Sequence, residues 1–201
     1  MPEQYFARRP SAAHRIREFT DVLRGRSLNF RTDSAVFSRR DVDAGTRLLI
    51  DAVEVKASDC VLDLGCGYGP IGIALAGTVD GVRIVMTDVN RRAVRLARKN
   101  AESNGVRADV REGALYEPVA GLAFDHIVSN PPIRAGKAVV HAIVDGAPGH
   151  LVDGGSLWLV ARTQQGAPSL IRKMEDVFGS AEVVARGGGF RVLRSVRPDK
   201  P

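Results

Sequence analysis

The chain has 201 residues and a formal net charge of +6, and this length suits one domain or one domain with a small extension. No run of residues is long and apolar enough to cross a membrane, and the N-terminus lacks the apolar core of a secretory signal. The two cysteines, Cys60 and Cys66, form no CxxC pair, which argues against a zinc site and a disulfide scaffold and favours a reducing, cytoplasmic setting.

The basic charge is concentrated at the two ends of the chain. Residues 1–40 contain nine arginines and four acidic residues, and residues 186–201 contain five basic residues and one acidic residue. Because guanidinium groups pair bidentately with phosphate, this distribution favours a nucleic acid as the partner. The alternative is a solvated basic surface in which arginine replaces lysine.

The chain is predicted to divide into an N-terminal extension, residues 1–42, and a main domain, residues 43–201. Within the extension, residues 1–16 have the composition of a loose basic arm. The stretch from Val22 to Ser38 is predicted to form a β-hairpin that turns at Arg24-Gly25, because apolar and polar residues alternate after that turn.

From Cys60 onward, strand and helix patterns alternate, which is typical of an open, mostly parallel α/β sheet. The last two strand patterns are separated by the short GGG at 187–189, so this pair is predicted to be antiparallel. The predicted strands are Cys60–Leu64, Arg83–Thr87, Ala108–Arg111, Phe124–Ser129, Ser156–Ala161, Glu182–Ala185 and Phe190–Val196. The predicted helices are Asp43–Glu54, Gly69–Ala76, Arg91–Asn104, Ala138–Leu151 and Pro168–Phe178.

The glycines after the first strand of this sheet are candidate ligand-binding residues, because ligands of such sheets bind beyond the carboxyl ends of the strands. Gly65, Gly67 and Gly69 permit a tight turn and a close approach of a ligand to the backbone. The run from Gly67 also matches GxGxxG, a weak signal for a dinucleotide. The carboxylate of Asp63, inside the strand end, would repel a pyrophosphate and attract a cationic ligand.

The ends of the next two strands supply further candidates. Asp88 ends the second strand, where an acidic residue can bind ribose hydroxyls, and the alternative is a helix cap at Asp88 or Asn90. The loop after the third strand lies where an adenine base would reach. The backbone of Gly113 and Ala114 could bind such a base, and an ordinary loop is an equal competitor.

The sequence Ser129-Asn130-Pro131-Pro132 follows the fourth strand. Proline cannot donate to a sheet ladder and restricts the residue before it, so the strand ends here and the backbone is stiff. The Asn130 side-chain oxygen and the Pro131 carbonyl are therefore two acceptors held in fixed directions. By itself, this pattern could equally be a strand terminator with an Asx turn.

VLDLGCGYG, TDVN and SNPPI, in this order, resemble the class I S-adenosylmethionine-dependent methyltransferases. LRGRSLNFRTDSAVFS, DAGTRLLI, NPPIRAGK and GGGFRVL are similar to segments of the small-domain group around the RsmC-type 16S rRNA guanine-N2 methyltransferases. This likeness covers nearly the whole chain. The resemblance implies a Rossmann-like, seven-stranded methyltransferase sheet, mostly parallel with an antiparallel C-terminal strand, and S-adenosylmethionine as the cofactor.

The resemblance also assigns roles to residues. Asn130 and Pro131 would each accept an N–H bond from an exocyclic amine, which would aim its nitrogen lone pair at the methyl group. Asp63 would bind the cofactor's amino group and Asp88 its ribose. The implied catalytic residues are Asn130, Pro131, Pro132 and Ile133. The implied cofactor-binding residues are Asp63, Gly65, Cys66, Gly67, Asp88, Val89, Gly113, Ala114, Asn130 and Thr46.

The leading hypothesis is an N-methyltransferase of RNA that acts on guanine N2 in ribosomal RNA, free or in a ribosomal subunit. Alternatives are methylation of a protein glutamine amide or of adenine N6, a non-catalytic RNA-binding module, and, ranked lowest, an NAD-linked oxidoreductase. Ile133 replaces the aromatic residue that many relatives stack on the target base. The basic ends, or a second copy in a homodimer, would bind the RNA. No histidine has metal-ligand spacing, so no metal is predicted.

Overall fold

The computed structural model describes residues 16–33, 41–132, 136–164 and 166–198, and its first element is an antiparallel β-hairpin. Strand β1 (Arg17–Leu23) pairs with β2 (Arg26–Thr32). The turn residues Arg24 and Gly25 have φ angles of 49° and 78°, as two-residue hairpin turns require. The predicted hairpin and its turn are therefore confirmed.

The hairpin's boundaries differ from the prediction of Val22 to Ser38. Strand β1 begins at Arg17, and β2 ends at Thr32, while residues 34–38 lie outside the described residues. The start was missed because β1 has the polar Asp21 on its more buried face and the apolar Val22 on its exposed face, so apolar and polar residues do not alternate in its sequence. By contrast, Leu28, Phe30 and Thr32 of β2 are buried at every second position.

The remaining strands form one seven-stranded sheet. They are β3 (Cys60–Leu64), β4 (Arg83–Asp88), β5 (Asp109–Glu112), β6 (Phe124–Ser129), β7 (Leu151–Arg162), β8 (Glu182–Gly187) and β9 (Phe190–Val196). The spatial order is β5-β4-β3-β6-β7-β9-β8. All pairs from β5 to β7 are parallel, and β9 is antiparallel to both of its neighbours. The predicted fold class is confirmed, including the antiparallel last pair.

Helices cover both faces of this sheet. They are α1 (Ala44–Ala52), α2 (Pro70–Thr78), α3 (Arg91–Ser103), α4 (Lys137–Gly146) and α5 (Ala167–Phe178). The buried residues of α1, α2, α3 and the hairpin form one core cluster, and those of α4 and α5 form a second. No helix among the described residues has the length and apolar character needed to span a bilayer. The division at residue 43 stays a prediction.

The segment from α4 to β7 corrects one predicted helix and one predicted strand. The helix predicted over Ala138–Leu151 ends at Gly146, and a 3-10 turn, Ala147–His150, follows it. Pro148 lacks the amide hydrogen that another α-helical turn would need. Strand β7 then begins at Leu151 instead of Ser156. Its early part was missed because it contains two glycines and a register shift against β6.

Two asparagines of α3 attach the hairpin to the main sheet's helical layer. Asn104 accepts a hydrogen bond from the Asn29 amide (2.9 Å) and donates one to its carbonyl (2.7 Å). Asn100 pairs with the Arg31 backbone in the same way, at 2.8 and 3.0 Å, and also donates to the Tyr68 carbonyl at 2.8 Å. These two side-chain amides, one helical turn apart, therefore bond to backbone N–H and C=O groups at the outer edge of β2, as a neighbouring strand would.

Candidate functional site

The loop between β3 and α2 forms a tight turn at the point where the strand order reverses. Both Gly65 and Cys66 donate their amide hydrogens to the Thr87 carbonyl, at 2.8 and 2.9 Å. Gly65, Gly67 and Gly69 have φ angles of 74°, 59° and 92°, a region that side chains disfavour. A Cβ on Gly65 would meet no atom within 4 Å, so the turn borders open space. The geometry leaves room for a ligand against this backbone.

Asp63 is a buried carboxylate beneath this turn. Its Oδ2 accepts a hydrogen bond from the Gly72 amide at 2.9 Å, whereas its Oδ1 is buried and has no partner among the described residues. Burial raises the pKa of Asp63 to about 7, and the charge of Asp88 contributes in the same direction. A buried carboxylate with a free oxygen is costly alone and becomes favourable beside a cation. Asp63 therefore fits a ligand that carries a positive charge.

Asp88 joins the ends of β3 and β4. Its two carboxylate oxygens accept hydrogen bonds from the Gly67 amide (2.9 Å) and the Asn90 amide (2.8 Å). Burial raises the pKa of Asp88 to about 6. The side chain of Asn90 caps α3 by accepting from the Arg92 amide, so the cap and the loop contact are made by different residues. Val89 lies between them and is half-buried.

The loop after β5 approaches the same place. The Gly113 amide donates to the Asp88 carbonyl at 3.1 Å, and a Cβ on Gly113 would collide with the Pro118 ring. The Ala114 amide makes one long hydrogen bond, 3.4 Å, to the side chain of Glu117. The structure thus brings the Gly113–Ala114 backbone next to Asp88, as the order of the strands predicts.

Asn130 lies at the carboxyl end of β6, beside the end of β3. Strand β6 is held there by the Ser129 hydroxyl, which donates to the Leu64 carbonyl at 2.7 Å. The Asn130 amide nitrogen donates to the hydroxyl of Thr46 on α1 at 2.8 Å. Pro131 is buried and Pro132 half-buried, whereas Ile133 lies outside the described residues. The four strand ends that carry predicted site residues therefore lie at one edge of the sheet, with Thr46 of α1 beside them.

Cys66 contributes its backbone and not a reactive side chain. The residue is 4% exposed, and burial raises the pKa of its thiol well above the usual value. A thiol held protonated is a poor nucleophile. Among the described residues no cluster of three or more potential metal ligands occurs, so this part of the chain offers no metal site.

The structure adds contacts at this site that the sequence did not indicate. Asp43 caps α1 by accepting the amides of Gly45 and Thr46, at 3.1 and 3.2 Å, and its second oxygen accepts the Thr46 hydroxyl. The ring of Phe190 lies against Gly45, where a Cβ would come within 2.7 Å of it. The start of β9 therefore presses on the N-terminus of α1.

A second polar cluster lies at the opposite, amino edge of the sheet. His126 lies between the Asp59 carboxylate (3.1 Å) and the Ser156 hydroxyl (2.9 Å), which also accepts from the indole of Trp158 at 2.8 Å. Ser156 is 1% exposed, so no acyl group can reach its oxygen and the cluster is not a hydrolytic triad. It connects the amino ends of β6 and β7 instead.

The comparison with known protein families identifies the class of this protein. Residues 27–194 match the family model "Methyltransferase small domain", and the chain belongs to that family. The chain is therefore an S-adenosylmethionine-dependent methyltransferase. The open glycine turn, the partnerless oxygen of Asp63 and the carboxylate at the end of β4 fit that cofactor, which carries a cationic amino group and a ribose.

Individual relatives refine this similarity. The chain is 42% identical over 198 residues to "Uncharacterized protein YbxB" of Bacillus subtilis, covering 97% of this chain and 98% of that protein. It is 36% identical over 174 residues to "Ribosomal RNA small subunit methyltransferase C" of Klebsiella pneumoniae, covering 85% of this chain and 50% of the relative. The chain thus spans about half the length of that rRNA methyltransferase.

A solved structure is similar over almost the whole chain. The T. thermophilus 16S rRNA N2 G1207 methyltransferase (RsmC), determined in complex with AdoMet and guanosine, has a TM-score of 0.83 and 28% sequence identity. The match covers 94% of this chain and 52% of that one. A methyltransferase from Pyrococcus furiosus, with a TM-score of 0.66 at 20% identity, supports the fold alone.

Proposed function

We propose that this methyltransferase transfers a methyl group to the exocyclic N2 amine of a guanine in ribosomal RNA. The observation that carries the proposal is the hydrogen bonding of the Asn130 side chain. Its amide nitrogen is engaged by Thr46 at 2.8 Å, and its amide oxygen has no hydrogen-bond partner among the described residues. A free oxygen at the end of β6 is an acceptor for the N–H of an incoming amine.

The chemistry of an exocyclic amine explains why such an acceptor is needed. Its nitrogen lone pair is delocalised into the base ring, so the amine is a weak nucleophile. The Asn130 oxygen and the Pro131 carbonyl would each accept one N–H bond, which turns the lone pair out of the ring plane and offsets positive charge that develops on nitrogen. Bound S-adenosylmethionine supplies an electrophilic methyl group on a sulfonium. Held by these two acceptors, the amine nitrogen would bond to that carbon as the carbon–sulfur bond broke, and it would then release one proton to solvent.

The remaining site residues would hold the cofactor. Asp63 would pair with its ammonium group, Asp88 with its ribose hydroxyls, and the backbone of Gly113 and Ala114 with its adenine. The turn of Gly65, Cys66 and Gly67 would lie against it, with Val89 beside the adenosine. Two similarities favour guanine in rRNA: the 36% identical relative is an rRNA methyltransferase, and the similar solved structure holds guanosine.

The test uses methyl-labelled S-adenosylmethionine with ribosomal RNA and ribosomal particles from cells that lack this protein. We expect label in RNA with the wild type, recovered after digestion as N2-methylguanosine. Asn130→Ala should lower incorporation by at least about 100-fold, as loss of one transition-state hydrogen bond does elsewhere. Cofactor binding by the variant, measured by calorimetry, shows that it is folded. Label in protein glutamine or in N6-methyladenosine would overturn the guanine assignment, and label in neither RNA nor protein would overturn the proposal.

A further inference from the structure

The orientation of the Asn130 amide is set by a chain of hydrogen bonds from α1. The Asp43 carboxylate accepts the Thr46 hydroxyl, and Thr46 Oγ1 accepts the amide N–H of Asn130 at 2.8 Å. A carboxylate can only accept, so the single hydroxyl proton of Thr46 points at Asp43. The lone pairs of Thr46 are then directed at Asn130, and they can receive only its nitrogen side.

The reversed amide would be unfavourable. Turning Asn130 by 180° about its terminal bond would place its oxygen against the lone pairs of Thr46 Oγ1, with no proton between the two atoms. Asp43 is itself fixed, because its other oxygen accepts the amides of Gly45 and Thr46 at the start of α1. The helix cap thus fixes the hydroxyl, and the hydroxyl fixes the amide.

We propose that Thr46 and Asp43 are positioning residues for methyl transfer: they hold the Asn130 oxygen toward the acceptor amine. This assigns Thr46 a role other than the cofactor contact predicted for it from the sequence. The inference rests on the proposed function, since it presumes that the Asn130 oxygen accepts an amine hydrogen. In a free side chain both amide orientations would be populated, and only one of them could accept.

The test compares Thr46→Val, which keeps the shape and removes the hydroxyl, with Thr46→Ser, which keeps the hydroxyl. Thr78→Val is the matched control, because its hydroxyl donates to the Ala74 carbonyl at the far end of α2. We expect Thr46→Val to lower kcat for RNA methylation by roughly tenfold to a hundredfold, the cost of a misplaced reacting group. The Kd for S-adenosylmethionine should not change, Thr46→Ser should restore kcat, and Thr78→Val should match the wild type.

A raised Kd for the cofactor with unchanged kcat in Thr46→Val would overturn the inference and restore the cofactor-contact assignment. A readout without substrate separates this result from failure of the proposed function. The side-chain ¹H–¹⁵N signals of Asn130, identified by their absence from Asn130→Ala, should exchange faster with water in Thr46→Val than in the wild type. Unchanged exchange would overturn the positioning role even if no RNA were methylated.

A second, independent observation concerns three arginines at the same edge of the sheet. Arg162 ends β7 and pairs with Phe190 of β9, and Arg186 of β8 lies directly opposite Arg191 of β9. Because β8 runs parallel to β7, all three lie at the carboxyl edge. Arg162 shares a sheet face with Phe190, and Arg186 and Arg191 share the opposite face. We call Arg162, Arg186 and Arg191 the arginine edge.

No acidic side chain in the part of the chain that the structure describes forms a salt bridge with the arginine edge. None of its members makes a salt bridge within the described residues, whereas Arg197 at the amino edge pairs with Asp153 at 3.3 Å. The Nε of Arg191 is buried without a hydrogen-bond partner. Like charges directly opposite across two strands are destabilising, and an anion between them removes that cost.

Contacts within the fold fix the arginine edge relative to Asn130. The guanidinium of Arg162 lies 4.9 Å from the centre of the Phe190 ring, which in turn lies against Gly45 beside Thr46. The turn between β8 and β9 is tied to β7 by the Thr163 amide, which donates to the Gly189 carbonyl at 2.9 Å. Arg162, on the same sheet face as Phe190, is therefore held at a set position from the acceptor amide, and Arg186 and Arg191 lie on the other face of the same edge.

We also propose that the arginine edge binds the phosphate backbone of the substrate RNA next to the target nucleotide. This proposal likewise rests on the proposed function. The test is binding of a 16S rRNA transcript by Arg186→Gln/Arg191→Gln over a range of salt concentrations. Arg107→Gln is the control, because Arg107 is exposed before β5 at the opposite edge.

We expect the double variant to bind the transcript more weakly. Its slope of log affinity against log salt should fall by roughly 0.7 for each phosphate contact removed from a single strand. Its Kd for S-adenosylmethionine should stay that of the wild type. A double variant that matches Arg107→Gln in affinity and slope would overturn the proposal. If the double variant binds the transcript more weakly than Arg107→Gln, and the wild type methylates neither ribosomal RNA nor ribosomal particles, the arginine edge stands and the proposed function fails.

Discussion

The substitution Asp63→Asn should stabilise the protein at neutral and higher pH while it weakens cofactor binding. In the folded chain the pKa of Asp63 is raised from its usual 3.8 to about 7 by burial. The folded state therefore holds a proton that the unfolded chain has already released between about pH 4 and pH 7. Because the folded state binds more protons in this window, the contribution of Asp63 to stability is present below pH 4 and is lost as pH rises through 7.

The magnitude follows from the two pKa values. Each tenfold change in proton affinity is about 1.4 kcal/mol, so the rise from 3.8 to about 7 corresponds to roughly 4 kcal/mol once Asp63 is ionised. Asparagine removes this cost at high pH but leaves a buried N–H without an acceptor, which costs about 1–3 kcal/mol at every pH. Because the cost of the asparagine is the same at every pH, the variant's free energy of unfolding relative to the wild type should rise by roughly 4 kcal/mol between pH 4 and pH 8.

The assay is thermal unfolding of both proteins without cofactor across this pH range. For a chain of this size, the expected change in the difference between the two Tm values is about 8–16 °C. Asp80→Asn is the control, because it removes an equal charge from an exposed position. A Tm difference that stays constant with pH would refute the reasoning.

Cofactor affinity should change in the opposite sense to stability. Asp63→Asn loses a charge-assisted hydrogen bond of about 1.5–3 kcal/mol, so its Kd for S-adenosylmethionine should rise by at least about tenfold at pH 8. For the wild type, calorimetry should show a Kd that rises as pH falls through 7, because a protonated Asp63 no longer pairs with the ammonium group. A wild-type Kd that falls as the pH is lowered would show that the ammonium group does not bind at Asp63.

Three further predictions concern packing around the site. Asn100→Ala should lower the free energy of unfolding by about 2–4 kcal/mol, because the Arg31 backbone groups and the buried Tyr68 carbonyl lose their partner, and urea titration measures the change. Gly45→Ala should lower the Tm, because its Cβ would lie 2.7 Å from the Phe190 ring. Adding Phe190→Leu should restore the Tm, whereas a double variant whose Tm loss equals the sum of the two single losses would contradict the clash. Gly113→Ala should weaken cofactor binding in calorimetry, because the Pro118 ring forces the loop to shift; an unchanged Kd would argue against an adenine contact there.

The strand-end residues could be predicted because their signals are local. Glycines at alternate positions after a strand, an acid at the end of the next strand, and an Asn-Pro-Pro sequence each restrict the backbone where they occur. The parallel alternation of strands and helices then places these ends at one edge. This reasoning located Asp63, Gly67, Asp88 and Asn130 near one another, and the structure connects Gly67 to Asp88 at 2.9 Å.

The contacts that could not be predicted join residues far apart in sequence. Asn130 and Thr46 are 84 positions apart, and no periodicity relates a hydroxyl on α1 to an amide after β6. The packing of Phe190 on Gly45 has the same character, since it depends on how β9 inserts between β7 and β8. By contrast, Asn100 and Asn104 carried a usable signal, because two amides one helical turn apart on a helix can serve a strand edge.

The two edges of the sheet show how unsatisfied groups identify the site. At the amino edge, the polar side chains of Asp59, His126 and Ser156 bond to one another and leave no buried oxygen without a partner. Among the described residues, the buried side-chain oxygens without a partner are Asp63 Oδ1 and Thr87 Oγ1, at the ends of adjacent strands β3 and β4. A stable fold removes such atoms wherever it can, since each costs about 1–3 kcal/mol. The register pairs Asp63 with Met86 and Thr87 with Leu64, so the two oxygens lie on opposite faces of the sheet. The partnerless oxygen of Asp63, beneath the glycine turn, is therefore the one expected where a ligand completes its hydrogen bond.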